Sequence, residues 1–130
     1  MSKIEKKLKK YFSKPKNCLV LGSGFGHLGA FLEIFDTVFI YSKEVSNKAR
    51  NLIYKTDLKD LNTVTDIDFI FYDLDYVEYL NTTQQVWYKY RPIIIVEGRE
   101  VIGRHLSGPF YKTNYRAIAQ EKNFHVWTYQ

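Results

Sequence analysis

Residues 18–32, Cys-Leu-Val-Leu-Gly-Ser-Gly-Phe-Gly-His-Leu-Gly-Ala-Phe-Leu, are the stretch from which the fold of this chain can be predicted. The apolar residues 18–21 predict a strand that is buried on both faces, as strands of parallel sheets are. The glycine-rich residues 22–26 predict a sharp turn, and a helix is expected from His27 to about Phe35. Because such a turn exposes backbone N–H groups near the positive end of a helix, it is a candidate site for the polar part of a nucleotide-like cofactor.

The spacing of the glycines narrows the choice of cofactor. Gly22, Gly24 and Gly26 form G-x-G-x-G, and Gly22 ends the predicted strand. The dinucleotide fingerprint G-x-G-x-x-G requires a glycine at the sixth position, which is His27 here, so the register disfavours NAD and FAD. The chain contains no G-x-x-x-x-G-K-[ST] sequence, which excludes a P-loop. A tight strand-to-helix turn that binds no ligand is the alternative interpretation.

Residues 19–26, Leu-Val-Leu-Gly-Ser-Gly-Phe-Gly, resemble the first motif of the class I S-adenosylmethionine-dependent methyltransferases. Most of that family carries an acidic residue two positions before the first glycine, where this chain has Val20, but spermidine-synthase-like members have an apolar residue there. The resemblance implies a Rossmann-like fold, S-adenosylmethionine as cofactor and methyl transfer as activity. It also implies that the methionine part of the cofactor is held by Gly22, Ser23, Gly24, Phe25 and Gly26.

Two further groups of residues match the family's cofactor contacts by position. In Rossmann-like proteins the end of the second strand supplies a carboxylate to the ribose hydroxyls. Here the candidates are Ser42 and Glu44, and the alternative is that Glu44 lies in the first turn of a helix capped by Ser42. After the third strand, Asp57 and Leu58 match the residues that contact the adenine, while Asp57 is equally suited to cap a turn.

The residues that follow the fourth predicted strand are the candidate catalytic group. Functional residues of open α/β sheets gather at the carboxyl ends of strands, which is where Asp73, Asp75 and Tyr76 are expected. The resemblance places them against the methyl acceptor, and the Asp73 carboxylate is suited to orient that acceptor or to take its proton. The alternative is that Asp73 or Asp75 caps the next helix. Glu97 follows the fifth strand at the same edge.

The order of predicted elements indicates an α/β fold of the Rossmann-like type. We expect a three-layer sandwich with a mostly parallel six-stranded sheet and an antiparallel C-terminal edge strand. The family core commonly has seven strands, so this reading leaves the chain one strand short. The expected strands are 18–21, 37–41, 51–55, 66–72, 93–96 and 124–129, and the expected helices are 2–14, 27–35, 44–50, 77–90 and 114–122.

Composition and charge bound the class of protein. The 130 residues suit one domain, residues 1–130, and 45% of them are apolar, which is enough to form a core. The net charge of +5 is concentrated in residues 1–16, where seven lysines oppose one glutamate. These belong to a basic amphipathic helix at residues 2–14, which either packs on the sheet with a solvated lysine face or makes a weak contact with nucleic acid or another anion. A single cysteine and the absence of a long apolar run fit a cytoplasmic protein without a membrane segment or a metal site.

The sequence leaves three functions open. The first is a small methyltransferase that uses S-adenosylmethionine on an acceptor that the sequence does not identify. The second is a Rossmann-like binding or assembly protein that has lost catalysis, since fold alone does not determine function. The third is a different use of S-adenosylmethionine, such as its cleavage or aminopropyl transfer. An exposed sheet edge also makes a homo-oligomer, by default a symmetric dimer, an expectation.

Overall fold

The structure, a computed structural model, describes residues 6, 16–22, 27–42, 50–55, 61, 63–73, 80, 82–97, 114–121 and 124–129. These ranges contain seven strands and two helices, and all the described strands belong to one sheet. The elements are β1 (Asn17–Leu21), α1 (Leu28–Ile34), β2 (Thr37–Tyr41), β3 (Leu52–Lys55), β4 (Ile67–Tyr72), α2 (Gln84–Tyr90), β5 (Ile93–Glu97), β6 (Tyr115–Glu121) and β7 (Phe124–Tyr129).

Five parallel strands form the greater part of the sheet, in the order β3-β2-β1-β4-β5. Leu19 of β1 pairs with Phe39 of β2 on one side and with Ile70 of β4 on the other. Residues 18–21 are completely buried, because a central parallel strand is covered on both faces. The predicted α/β class with a mostly parallel sheet is therefore confirmed.

One face of the sheet is covered by α1, and we call it the α1 face. Side chains alternate along a strand, so Val20 of β1 and Phe71 of β4 point to this face together with Ile95 of β5. Phe31 of α1 packs on it, with its ring 5.4 Å from that of Phe69 and 5.3 Å from that of Phe71. These spacings lie in the preferred range for aromatic pairs, and burial of the rings holds α1 against β4.

The opposite face is covered by α2 and is called the α2 face. Trp87 of α2 is fully buried there and packs with Leu21 of β1, Tyr72 of β4 and Val96 of β5. Its ring lies edge-on to that of Tyr115 at 5.8 Å. With α1 on one face and α2 on the other, the described part of the chain has the three layers that the sequence predicts.

The C-terminal part of the sheet corrects two expectations. Residues 114–122 were expected to form a helix, but Tyr115–Glu121 is strand β6, so the sheet has seven strands rather than six. Phe124–Tyr129 is antiparallel as predicted, yet it lies between β5 and β6 instead of at the edge. Pairing with β7 overrides the weak helix propensity of this alanine-containing segment, and Tyr115 is anchored by donating from its hydroxyl to the Pro92 carbonyl at 2.7 Å.

The helix expected at residues 77–90 begins later than predicted. Residues 80, 82 and 83 form turns, and α2 starts at Gln84. Its C-terminal end agrees with the prediction, because Arg91 adopts a left-handed conformation with φ 51° and its N–H donates to the Trp87 carbonyl at 2.9 Å. Pro92 follows, and the residue before a proline is disfavoured in the right-handed α-helical region.

The remaining predicted elements fall largely outside the described residues. The N-terminal helix is described only at Lys6, which is helical and exposed. The helix expected at residues 44–50 lies outside the description except for Arg50, which forms part of a turn. Among the helices that the structure describes, none is long and apolar enough to cross a membrane.

Candidate functional site

The carboxyl ends of β1 and β4 meet beside the predicted glycine turn. The N–H of Gly22 donates to the Tyr41 carbonyl at 2.8 Å, and the N–H of Asp73 donates to the Leu21 carbonyl at 2.9 Å. These bonds extend the sheet by one residue beyond β1 and β4 and fix the backbone on both sides of the crevice above the ends of these two strands. The chain leaves β1 toward β2 and later returns to the other side of β1 as β4, so the strand order reverses at this crevice. Open α/β sheets bind ligands at such a point.

Gly22 is a glycine for two local reasons. Its φ is 115°, a conformation that residues with a side chain rarely adopt. A Cβ at this position would also lie 2.7 Å from both Cβ and Cγ of Asp73 and would overlap its Oδ2 atom. The carboxylate of Asp73 therefore packs directly over the bare backbone of Gly22. The close approach of a carboxylate to this bend is what the structure adds to the sequence motif.

Three ionisable side chains meet on the α1 face at this edge. Asp73 follows Phe71 by two positions and Glu97 follows Ile95 by two, so both carboxylates point to the face covered by α1. His27 precedes α1 and lies over the same face, with its ring edge-on to Phe71 at 5.8 Å. Its Nε2 atom is 3.8 Å from Glu97 Oε1, which forms an ion pair only when His27 is protonated.

Burial controls the protonation of this group. Asp73 is 5% exposed and Glu97 is 6% exposed. Burial, and secondarily the charge of Asp73, raises the pKa of Glu97 to about 7. Burial also lowers the pKa of His27, so this imidazole is neutral near pH 7. Glu97 thus changes charge near neutral pH while its histidine neighbour is uncharged.

The buried Glu97 carboxylate is incompletely satisfied. Its Oε2 atom accepts no hydrogen bond from any group in the part of the chain that the structure describes. A buried polar atom without a partner destabilises the fold, so such atoms concentrate where a ligand or another group is bound. No group of three His, Cys, Asp or Glu side chains among the described residues has the arrangement of a metal site.

A buried hydrogen-bond network supports the end of β4 from the α2 face. Trp87 Nε1 donates to the Tyr72 hydroxyl at 2.9 Å, and that hydroxyl also bonds to Thr83 Oγ1. Thr83 Oγ1 donates in turn to the Leu80 carbonyl at 3.2 Å. The network ties the start of α2 to the residue that immediately precedes Asp73, and burial raises the pKa of Tyr72, which keeps its hydroxyl protonated.

Replacing Tyr72 by phenylalanine is expected to destabilise the protein by about 1–2 kcal/mol, because it removes one partner each from the buried Trp87 and Thr83 side chains. Urea denaturation followed by tryptophan fluorescence measures this change. The matched control is Tyr88→Phe, since Tyr88 is 63% exposed on the same helix and its hydroxyl is expected to contribute less than about 0.5 kcal/mol. Equal effects of the two variants would contradict the role given to the network.

The structure places some of the predicted site residues and not others. Gly22 and Asp73 are brought together as described, and Ser42 follows β2 at the same edge of the sheet, half-buried. His27 and Glu97 were assigned no role from the sequence, although Glu97, like Asp73, is an acid that follows an apolar strand. The predicted residues that lie outside the description are Ser23, Gly24, Phe25, Gly26, Glu44, Asp57, Leu58, Asp75 and Tyr76.

Comparisons with known proteins identify the fold. No family model matches the chain, and no curated protein matches it by sequence. Among solved structures, precorrin 8W decarboxylase from Methanobacterium thermoautotrophicum superposes with a TM-score of 0.60 and 14% identity over 96% of this chain and 88% of that chain. A methyltransferase from Geobacter sulfurreducens gives a TM-score of 0.64 and 15% identity over 98% of this chain and 76% of that chain.

A third similar structure was solved with ligands. The MycE methyltransferase of mycinamycin biosynthesis, in complex with Mg, SAH and mycinamycin VI, gives a TM-score of 0.64 and 11% identity over 97% of this chain and 44% of that chain. At these identities the likeness shows the fold. The chain therefore has the Rossmann-like fold found in S-adenosylmethionine-dependent methyltransferases, as the sequence motif predicts.

Proposed function

We propose that this protein binds S-adenosylmethionine at the carboxyl edge of β1 and β4 and transfers its methyl group to an acceptor. The observation that carries the proposal is the placement of Gly22 and Asp73 on the two sides of the point where the strand order reverses. The methyltransferase fold of the similar structures supports it, as does the SAH bound to one of them.

The residues at this edge fit the polar end of such a cofactor. The methionine part of S-adenosylmethionine carries an ammonium group, and the Asp73 carboxylate beside the Gly22 backbone is a matching acceptor. Of the predicted contacts, Gly22, Ser23, Gly24, Phe25 and Gly26 would surround the methionine part, Ser42 or Glu44 the ribose, and Asp57 and Leu58 the adenine. Asp75 and Tyr76 would face the methyl acceptor, which is the alternative partner of Asp73.

Methyl transfer requires little of the protein beyond alignment of the methyl donor with its acceptor. The cofactor would supply an activated methyl group; a correctly placed nucleophile would attack the methyl carbon, and the thioether SAH would leave, with no covalent enzyme intermediate. Holding donor and acceptor in line is itself a large source of rate acceleration. A carboxylate at Asp73 is placed to orient an acceptor or to take its proton.

Titration calorimetry with S-adenosylmethionine and SAH at pH 7.5 tests the proposal. We expect binding of both ligands, and we expect Asp73→Asn to weaken it by at least tenfold, since the neutral amide loses the charge that faces the ammonium group. The matched control is Asp36→Asn, because Asp36 is exposed at the opposite end of β2. The absence of heat at millimolar ligand would refute cofactor binding.

A binding protein without catalysis is the second candidate, and one observation favours it. The contact with Asp73 accounts for a glycine at position 22 without any ligand. Mass spectrometry of S-adenosylmethionine incubated with the protein and with a small-molecule cell extract as the source of methyl acceptors separates the candidates. Methyl transfer yields SAH together with a product heavier by one methylene unit, whereas cleavage or aminopropyl transfer leaves other products, and a binding protein leaves the cofactor intact.

A further inference from the structure

Two buried carboxylates at this edge of the sheet, those of Asp73 and Glu97, favour a positively charged ligand. Asp73 directly follows β4 and Glu97 ends β5, and these strands are hydrogen-bonded neighbours, with Tyr72 paired to Val96 one residue earlier. Both acids are more than nine-tenths buried and lie on the α1 face. Two carboxylates enclosed this closely repel each other when both are ionised, and a positive charge placed between them relieves the repulsion.

Glu97 has a carboxylate oxygen that could accept a hydrogen bond from such a ligand. Its side chain is only 9% exposed, and its Oε2 atom has no hydrogen-bond partner within the described ranges. The other oxygen, Oε1, faces His27 Nε2 at 3.8 Å, which is beyond hydrogen-bonding distance. The described neighbours therefore leave one carboxylate oxygen of Glu97 available to a positive group in the cleft.

We propose that Glu97, acting with Asp73, recognises the positive charge of the ligand and makes the site select sulfonium S-adenosylmethionine over its neutral thioether product, SAH. This inference rests on the proposed function, since it concerns the same cleft. Beyond the proposed function, Glu97 would determine the specificity of the site, and its charge would give a physical reason for release of the product. Loss of the methyl group removes the sulfonium charge but leaves the ammonium group that faces Asp73, so the attraction that falls is the one between the sulfonium and Glu97.

The pH dependence of binding follows from the groups that face Glu97. Among the described residues these are Asp73, which follows β4, and His27, which precedes α1. His125 of β7 pairs with Val96, one position away, and therefore points to the opposite face. Raising the pH ionises Glu97 and deprotonates His27, which removes a competing cation. Both changes favour a cationic ligand, so the affinity for S-adenosylmethionine is expected to rise with pH and its binding to release a proton.

The test measures the affinities of S-adenosylmethionine and SAH by titration calorimetry at pH 5.5 and pH 7.0, each in two buffers of different ionisation enthalpy. In the wild-type protein we expect the affinity for S-adenosylmethionine to increase about tenfold between these pH values, and that for SAH to change by less than about threefold. Glu97→Gln keeps the shape and removes the charge, so it should reduce the increase and the proton release to the smaller share that His27 contributes. Glu33→Gln is the control, because Glu33 is exposed on α1.

The outcomes separate this inference from the proposed function. A pH-dependent preference for S-adenosylmethionine that is reduced in Glu97→Gln and kept in Glu33→Gln supports it. Equal pH dependence for the two ligands, or a preference that Glu97→Gln leaves undiminished, overturns it while cofactor binding stands. Failure of both ligands to bind the wild-type protein refutes the proposed function and this inference together. If Glu97→Gln does not fold, the difference in heat between the two buffers still decides whether the wild-type protein releases a proton.

Discussion

Replacing Gly22 by alanine is expected to lower the free energy of unfolding by about 3–5 kcal/mol, which is much of the stability of a domain of this size. Two effects add. A residue with a side chain at φ 115° is strained by about 1–3 kcal/mol, and the new Cβ atom is forced against the side chain of Asp73, whose Cβ and Cγ lie 2.7 Å from its position. Urea denaturation at pH 7 measures the loss.

Replacing Gly29 by alanine is the control, and its expected effect on the free energy of unfolding has the opposite sign. It lies exposed in α1, and a Cβ placed there meets nothing within 4 Å, so Gly29→Ala is expected to stabilise the protein by about 0.5–1 kcal/mol. The double variant Gly22→Ala/Asp73→Gly removes the collision and leaves the backbone strain, so it should recover part of the loss. A Gly22→Ala protein within 0.5 kcal/mol of wild type would show that the bend does not have the geometry described.

Replacing Glu97 by glutamine is expected to stabilise the folded protein above neutral pH by about 2–3 kcal/mol. The pKa of Glu97 is raised from 4.5 to about 7 in the folded state. Between these two values the folded protein holds a proton that the unfolded chain has lost, so stability is complete below pH 4.5 and declines as the pH rises to about 7. Glutamine mimics the protonated acid and has no such decline.

Denaturation curves at pH 4.5, 6 and 8 test this expectation through the difference between Glu97→Gln and wild type. That difference should be small at pH 4.5 and reach its full value by pH 8. Glu33→Gln reports the effect of removing an exposed carboxylate from α1 and should differ from wild type by less than about 0.5 kcal/mol throughout. A pH-independent difference for Glu97→Gln would mean that Glu97 titrates as an ordinary exposed acid.

The prediction of β6 as a helix was wrong because strand pairing in the folded protein outweighs the helix propensity of the local sequence. Residues 114–122 contain alanine, glutamine and glutamate with an asparagine in front, which is a helix pattern. The structure instead pairs Tyr115–Glu121 with β7, and Tyr115 becomes buried against Trp87 and Tyr129. The partner strand lies after this segment in the sequence, and helix propensities of a few tenths of a kcal/mol per residue are too small to resist it.

The start of α2 was misplaced for a related reason. Residues 77–90 carry no proline or glycine to break a helix, and the interior start is marked only by Thr82 and Thr83, which are of a residue type favoured at an N-cap. Thr83 sets it in the folded protein, where its hydroxyl bonds to Tyr72 on β4 and to the Leu80 carbonyl in the preceding turn. A contact between a strand and a distant helix terminus has no local signal in the sequence.

The amino-acid sequence by itself determined the parallel strands, the glycine bend after β1 and the acid after β4, because continuous apolar runs and glycines act locally on burial and backbone conformation. Only the tertiary structure decided that the Asp73 carboxylate packs on Gly22 and that Glu97 and His27 join it. Strand order and register bring these residues to one edge and one face, and their burial there sets the charge of Glu97.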